Sequence, residues 1–187
     1  MAGKQMDFFA ALYRVAKVVN SSLEPQKVLS EIVKGVTQAM GAKASAIRLL
    51  AGNRKELVLG ASYGLSRGYL RKGRVLVTKS GLDRQALKGG AVCLLDAQTD
   101  PAFQYRDRAK AEGIHSICVV PLKVGRRSIG VVRVYSDKKR QWNQREIQFL
   151  EAVGNLSAIA LENARLHSAL RTDYDLLLAF RDRLDDN

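Results

Sequence analysis

Residues 113–136, GIHSICVVPLKVGRRSIGVVRVYS, constrain the fold of this chain more than any other stretch. Two apolar, β-branched runs, 116–122 and 128–135, flank a short charged connector that contains Gly125. A flexible glycine among solvated side chains suits a turn between two strands, so the stretch predicts a β-hairpin. Because the two strands leave almost no polar face, other elements should cover both faces of the hairpin, which we therefore place at the centre of a sheet.

Two amphipathic helices are predicted ahead of the first strand. Apolar residues recur at helical spacing over residues 6–20, and polar residues then end the pattern. A second helix begins near Pro25, which suits the first helical position, and ends at Gly41. Both helices are candidates to cover one face of the sheet.

The middle of the chain mixes short strands with short helices. β-rich runs separated by turn residues predict strands at 44–50, 57–63, 74–78 and 91–95. Helical patterns predict a short helix at 82–87, with Ser80 as its cap, and a polar helix at 103–112.

From Asn143 onward the pattern is helical without an obvious stop. Apolar residues recur seven apart in two seams, with Asn163 in the first seam and Asp173 interrupting the second: Leu156, Asn163, Leu170, Leu177 and Leu184, then Ile159, Leu166 and Phe180. Such a repeat is typical of paired helices. Residues 145–162 should pack on the chain's own sheet, whereas the part beyond Arg165 is either a dimer-forming helix or a frayed tail.

The order of these elements predicts an α+β fold with an antiparallel sheet. The terminal helices would lie on one face, and residues 64–112, which we call the roof, would cover the other. With 187 residues and 47% hydrophobic content, the chain can bury one full core and has no room for two ordinary domains.

Composition and motifs limit the cellular compartment and the kinds of chemistry that we expect of this chain. No apolar run reaches the roughly 20 residues of a membrane-spanning helix, and the N-terminus mixes charge into its apolar stripe, so we expect a cytoplasmic protein without a membrane partner. Cys93 and Cys118 lie in apolar runs and are predicted to be buried, reduced thiols. No hydrolase, phosphate-loop or zinc-protease motif is present, so we expect neither an enzyme nor a metal site.

The net charge of +13 is unevenly distributed. Residues 67–88 carry seven basic side chains against Asp83 alone. Such a face could attract an anionic ligand, an acidic protein or nucleic acid, or it could be a solvated surface that keeps the protein in solution. Without helix-turn-helix or aromatic-basic RNA motifs, nucleic-acid binding would depend on charge alone, and we do not expect it.

Several blocks together resemble the GAF domain family, the small-molecule-sensing relatives of PAS domains. In the order of the family, the blocks are ASAIRLL, GASYGLS, SGLDRQALKGGAV, LLDAQTDP, EGIHSICVVPL, SIGVVRVYS and IALENARL. The resemblance implies a GAF domain over residues 1–168, including the N-terminal helices, and a C-terminal helical extension over 169–187. It also implies a central six-stranded antiparallel sheet, with the terminal helices on one face and a ligand pocket on the other.

The resemblance further implies which residues line that pocket. They are Tyr63, Leu82, Ala86, Asp96, Phe103, Tyr105, His115, Ser116 and the inner face of the central hairpin. Aromatic residues of this set could stack on a planar ligand or simply pack in the core. His115 could sense pH or cap a strand, and Asp96 could contact a ligand or order its loop.

Arg48 and Arg133 lie in the middle of predicted strands, where a charge is expensive unless it is paired or faces water. If the first and last strands are neighbours, as in the family, both guanidinium groups could meet an anionic ligand on the pocket face. Alternatively, each pairs with a carboxylate or reaches solvent.

These observations predict a free-standing sensory module. It would bind a small molecule, whose identity and any cofactor stay unknown, and report occupancy through its terminal helices. We expect a homodimer formed by those helices and a separate signalling protein as partner. The alternative is a protein-interaction module with a basic face and no bound ligand.

Overall fold

The computed structural model describes residues 7–21 and 24–185, with side chains except at positions 21, 173 and 175–185. Twelve elements follow in chain order over these residues. They are α1 (Phe8–Ser21), α2 (Pro25–Ala39), β1 (Ala44–Leu50), β2 (Glu56–Tyr63), α3 (Arg67–Leu70), β3 (Val75–Leu76), α4 (Gly81–Leu87), β4 (Val92–Leu94), α5 (Arg106–Glu112), β5 (Ile117–Val124), β6 (Arg127–Tyr135) and α6 (Gln144–Asp185).

The strands form one six-stranded sheet in the order β3-β2-β1-β6-β5-β4. Every neighbouring pair is antiparallel, so the predicted sheet is confirmed. The predicted hairpin is β5 and β6, and β6 lies beside β1 in the middle of the sheet. Residues on both faces of these strands are buried because each face carries its own layer.

The terminal helices cover one face, here called the helix face. α1, α2 and α6 bury their apolar stripes there against alternate residues of the central strands, among them Ile47, Val132 and Val134. Phe8 of α1 stacks on Phe149 of α6 with ring centroids 4.7 Å apart. The predicted coverage of this face is confirmed.

The last helix begins with a reciprocal cap and continues far past the sheet. Asn143 and Glu146 each accept a hydrogen bond from the other's backbone N–H, at 3.0 and 2.9 Å. A Cβ at Gly154 would lie 2.9 Å from the carbonyl oxygen of Pro121, so glycine permits the close approach of α6 to β5. Ala164 is the last buried residue of the helix among the described side chains.

The roof, residues 64–112, packs its own apolar side chains on the other face of the sheet. Leu82, Ala86 and Phe103 are buried there against Val119 and Val131 of the central hairpin. The two faces of the sheet therefore have separate cores, as the sequence predicts.

Four details of the roof and its edge differ from the expectations. Ser66 caps a short helix, α3, which the sequence did not predict because glycines interrupt this segment. The polar helix begins at Arg106 because Asp100 forms a turn, accepting from the backbone N–H groups of Ala102 and Phe103. Ser80 precedes α4, but its hydroxyl bonds a carboxylate and makes no cap hydrogen bond.

The fourth difference concerns the cysteines. Cys118 is buried as predicted, whereas Cys93 is exposed. The prediction for Cys93 is wrong because β4 is an edge strand of three residues with a neighbour on one side only.

Candidate functional site

Two buried arginines lie on adjacent central strands and face the roof. Arg48 on β1 is 4% exposed, and Arg133 on β6 is 1% exposed. Arg48 lies opposite Val131, and Arg133 lies opposite Ala46, so the arginines are diagonal neighbours. The prediction that the first and last strands are neighbours is confirmed.

Arg133 is paired with a carboxylate that the sequence interpretation did not select. Its Nε donates to Asp83 Oδ1 at 2.9 Å, and its Nη2 donates to Asp83 Oδ2. The Ser80 hydroxyl also donates to Asp83, which is completely buried on α4. Burial is the largest single influence and lowers the pKa of Arg133, but Asp83, Tyr135 and Tyr69 together outweigh it, so the pKa of Arg133 is raised.

Arg48 has no carboxylate partner among the described residues. Its Nη1 donates to the carbonyl oxygen of Leu57 at 3.3 Å, and its Nε is buried without a hydrogen bond. Burial first, and then the charge of Arg133, lower the pKa of Arg48. An arginine nonetheless stays protonated in proteins, so Arg48 is a buried, incompletely compensated cation.

Lys72 brings a third basic side chain to the same place. The residue is 7% exposed, and its Nζ lies 3.6 Å from the ring centroid of Tyr69 without a hydrogen-bond partner. Burial, followed by the charges of Arg48 and Arg133, lowers the pKa of Lys72 to about 6. The hydroxyl of Tyr69 is likewise buried without a partner.

We call Arg48, Tyr69, Lys72, Asp83 and Arg133 the cationic cluster. Its three basic side chains meet one carboxylate, and three of its polar atoms, on Arg48, Tyr69 and Lys72, have no hydrogen bond. Buried polar groups of natural proteins are rarely left without partners. The cluster therefore has donors to spare for an acceptor that is negatively charged.

A cleft connects the cluster to the surface. It has a volume of about 450 Å³, lies between β2 and the segment of α3 and β3, and reaches Arg48. Arg71 and Arg74 also line it, and Leu57, Leu59 and Leu70 supply apolar walls. Glu56 also lines the cleft and forms an ion pair with Arg74. The entrance therefore carries two basic side chains and one acidic one, and its net positive charge could draw a small anion toward Arg48.

The structure distributes the sequence-predicted pocket residues over three places. Leu82, Ala86 and Phe103 pack in the roof core, near the cluster. Tyr105 packs at the edge of that core, and its hydroxyl donates to the carbonyl oxygen of Arg74 at 2.6 Å. These four residues share the roof face with Arg48 and Arg133.

Tyr63 lies on the opposite face. It pairs with Ser45, whose hydroxyl donates to the carbonyl oxygen of Val33 in α2 at 2.7 Å. Directly opposed residues of antiparallel strands point to the same side, so Tyr63 belongs to the helix face. Its 41% exposure also separates it from the roof core.

Asp96, His115 and Ser116 form a third group at the end of β4 and β5. Asp96 accepts from Lys139 at 2.7 Å and lies 3.6 Å from Nδ1 of His115. The hydrogen bond from Lys139 lowers the pKa of Asp96. Ser116 accepts from the backbone N–H of Arg140 at 2.7 Å, so the group joins the loops at this end of the sheet.

The sequence interpretation missed Tyr69, Lys72 and Asp83. Asp83 carried a usable signal, since it is the single acidic residue in the basic stretch 67–88 and lies three residues after Ser80. Lys72 and Tyr69 carried none, because the turn at α3 that buries them depends on contacts with distant residues such as Glu112.

Among the residues that the structure describes, no three or more His, Cys, Asp or Glu side chains are grouped as metal ligands. None of the helices in residues 7–21 and 24–185 is long and apolar enough to cross a membrane.

An antiparallel six-stranded sheet with terminal helices on one face and a roof on the other is the architecture of the GAF fold. The sequence profile of the GAF domain family matches residues 24–161, and the chain belongs to this family. GAF domains are generally sensory or regulatory modules rather than catalytic ones.

Individual relatives agree with the family assignment. The chain is 25% identical over 179 residues to an uncharacterized sensor-like histidine kinase from Chloroflexus aurantiacus, covering 95% of this chain and 29% of that protein. It therefore spans less than a third of the length of this relative.

Solved structures share the fold. The GAF domain of a phosphoenolpyruvate-protein phosphotransferase from Coxiella burnetii superposes with a TM-score of 0.78 at 20% identity, covering 89% of this chain and 99% of that one. Free methionine-R-sulfoxide reductase from Neisseria meningitidis, solved in complex with its substrate, gives 0.74 at 22% identity, with coverage of 89% and 95%. The fold thus also occurs in an enzyme.

Proposed function

We propose that this chain is a sensory module that binds a small anion, a carboxylate or a phosphate, at the cationic cluster. The observation that carries the proposal is the surplus of buried donors. Arg48, Lys72 and Arg133 face one carboxylate, Asp83, and donors on Arg48, Tyr69 and Lys72 have no acceptor. An anionic oxygen is the acceptor that would satisfy all three.

The two arginines would have different roles in ligand binding. Asp83 already occupies the fork of Arg133, so Arg133 would organise the cluster while Arg48 and Lys72 contact the ligand. The cleft beside Arg48 is the route of entry. A guanidinium group suits a carboxylate or phosphate because its donors match the planar arrangement of two oxygens.

Occupancy would reach the helices through the central strands. β1 and β6 carry Arg48 and Arg133 on one face, and on the other they pack Ile47, Val132 and Val134 against the terminal helices. A shift of these strands on ligand binding would therefore change the packing under α6. Because packed cores are stiff, such small displacements are transmitted rather than absorbed.

We further propose that α6 forms a homodimer beyond the domain. Ile159, Leu166, Leu170 and Tyr174 are 47–69% exposed along one side of the helix. Asn163, also exposed, lies in the same seam. Leu156, the first residue of the predicted seam, instead packs against the helix-face core. Leu177, Phe180 and Leu184 lie outside the described side chains.

Native mass spectrometry of freshly purified protein tests both parts. We expect a dimer that carries an additional small mass, and we expect Arg48→Met to lose this mass while remaining folded. Arg67→Met is the matched control, because Arg67 is exposed on α3 and its loss changes the net charge equally. Retention of the mass by Arg48→Met, or its loss by Arg67→Met, would contradict the assignment to the cluster.

The second candidate is an interaction module whose roof is filled by its own side chains. It is favoured by the tight packing of Leu82, Ala86 and Phe103 and by exposed basic side chains on Arg67, Arg71 and Arg74. This function predicts binding to a polyanion such as heparin that weakens steeply with salt. An anion sensor would instead keep its small ligand at physiological ionic strength.

A further inference from the structure

Two thiols face each other near the edge of the sheet, on the helix face and thus opposite to the face that carries the cationic cluster. Cys93 on β4 is the direct partner of Cys118 on β5 in the antiparallel register. Their Sγ atoms are 2.8 Å apart, whereas a disulfide bond has a length of about 2.05 Å. Both cysteines are free thiols in sulfur-to-sulfur contact.

The backbone already permits a bond between them. Directly opposed residues of antiparallel strands have Cα atoms about 4.5 or 5.5 Å apart. Disulfides span Cα separations of about 4.4 to 6.8 Å. The spacing of paired strands is therefore compatible with a bond between Cys93 and Cys118.

The two thiols differ in access and in acidity. Cys93 is exposed, whereas Cys118 has no exposed surface and packs in the core of the helix face. The hydrogen bond with Cys118 lowers the pKa of Cys93, and the same contact together with burial raises the pKa of Cys118. Cys93 is thus the thiol that would ionise first and meet a solute, and Cys118 is a shielded partner.

We propose that Cys93 and Cys118 are a redox modification site that a hydroperoxide converts into an intramolecular disulfide. The Cys93 thiolate attacks the hydroxyl oxygen of the hydroperoxide, the O–O bond breaks, and the second oxygen leaves as an alkoxide or hydroxide, which takes up a proton from water to become an alcohol or water. Cys93 becomes a sulfenic acid. Cys118 sulfur then attacks Cys93 sulfur, and the hydroxyl leaves as water with the Cys118 proton. The two thiols lose two electrons, and the hydroperoxide gains them.

A dithiol reductant would reverse the modification by thiol–disulfide exchange, starting at the exposed Cys93 sulfur. The bond would close a loop over residues 94–117, which contains α5 and part of the roof. It would also fix β4, an edge strand that pairs with β5 alone. Oxidation should therefore stabilise this side of the roof. The inference does not depend on the anion site, since Cys118 belongs to the helix-face core.

The test uses the full chain, hydrogen peroxide and intact-mass measurement after alkylation by N-ethylmaleimide in denaturant. Reduced protein should take up two maleimides. Peroxide-treated protein should lose two hydrogens, take up none, and remain a single chain on a non-reducing gel. Dithiothreitol should restore both alkylation sites, and the oxidised form should melt roughly 5 to 10 °C higher than the reduced form.

Two variants separate the roles of the thiols. In Cys118→Ala, oxidation by peroxide should stop at a Cys93 sulfenic acid, because the thiol that would form the disulfide is absent. This sulfenic acid should react with dimedone. Cys93→Ser should leave Cys118 unmodified by peroxide in the folded protein and alkylated once after denaturation. Two maleimides on peroxide-treated wild-type protein, or a disulfide that joins two chains, would overturn the proposal.

Discussion

At the scale of residues, the buried pair of Arg133 and Asp83 is the position where one substitution should cost most. Asp83→Asn would leave the guanidinium of Arg133 buried without its counter-charge, and breaking such a pair typically costs about 3–5 kcal/mol. Glu162→Gln is the control, because Glu162 pairs with Arg165 on the exposed side of α6, where water screens the ion pair and its loss should change stability little. Urea denaturation measures both.

The interpretation of Asp83 as a counter-charge also predicts a rescue. Replacing both members together, Arg133→Met with Asp83→Leu, removes the buried charges and should recover much of the stability that Asp83→Asn loses. A double variant as unstable as Asp83→Asn alone would show that the pair acts through shape and not through charge.

Lys72 should make stability depend on pH. In the folded protein the pKa of Lys72 is lowered to about 6, whereas an unfolded lysine titrates near 10.4. Between these values the unfolded state binds more protons, so the free energy of unfolding should rise with pH by up to about 1.4 kcal/mol per unit. The charges of Arg48, Arg133, Asp83 and Glu112 influence this amine. The ring of Tyr69 lies against it, with the centroid 3.6 Å from Nζ.

The measurement is urea denaturation of wild-type protein and of Lys72→Met from pH 6.5 to 9. The variant should lose the part of the slope that Lys72 supplies, while its neighbours stay in place. Identical slopes for the two proteins would mean that Lys72 is charged in the folded state.

At the scale of elements, the approach of α6 to β5 depends on Gly154. A Cβ there would lie 2.9 Å from the carbonyl oxygen of Pro121 and 3.3 Å from a methyl group of Val120. Gly154→Ala should therefore lose about 1–3 kcal/mol through overpacking. Gly35→Ala in α2 meets nothing within 4 Å and should gain up to about 1 kcal/mol through helix propensity. Thermal denaturation compares the two, and a stabilised Gly154→Ala would contradict this account of the packing.

The elements with strong periodicity were predictable, and those fixed by distant contacts were not. The runs that became β1, β6 and α6 bury long apolar patterns, which the sequence displays directly. The roof depends on long-range bonds, such as those from Ser66 to Glu112 and from Tyr105 to the backbone of Arg74. No local pattern predicts such contacts, so α3 was missed.

The same distinction, between local patterns and distant contacts, applies to the residues of the candidate site. Arg48 and Arg133 are conspicuous as charges inside apolar strands, and the neighbourhood of their strands followed from the family resemblance. The burial of Lys72 follows from the turn after α3, which no local pattern revealed. The face occupied by Tyr63 was misjudged because β1 and β2 shift register between Ile47 and Arg48.

At the scale of the whole molecule, the exposed seam of α6 predicts the oligomeric state. Leu166→Glu with Leu170→Glu places two charges in the seam and should convert the dimer to a monomer, because like charges would be buried against each other. Ser168→Glu with Thr172→Glu adds the same charges one turn apart on the opposite side of the helix and should leave the dimer intact. Analytical ultracentrifugation distinguishes the outcomes. A monomeric wild-type protein would contradict the proposal that this seam forms a dimer.

The central claim is that the cationic cluster binds a small anion. Thermal denaturation of the full chain against formate, acetate, succinate and inorganic phosphate tests it most directly. An anion at 100 times its Kd should stabilise the native state by about 2.7 kcal/mol, or roughly 5 to 10 °C. We predict such a shift for wild-type protein and Arg67→Met, and its loss in Arg48→Met and Lys72→Met. An equal shift in all four proteins, or no shift with any of these anions, would contradict the claim.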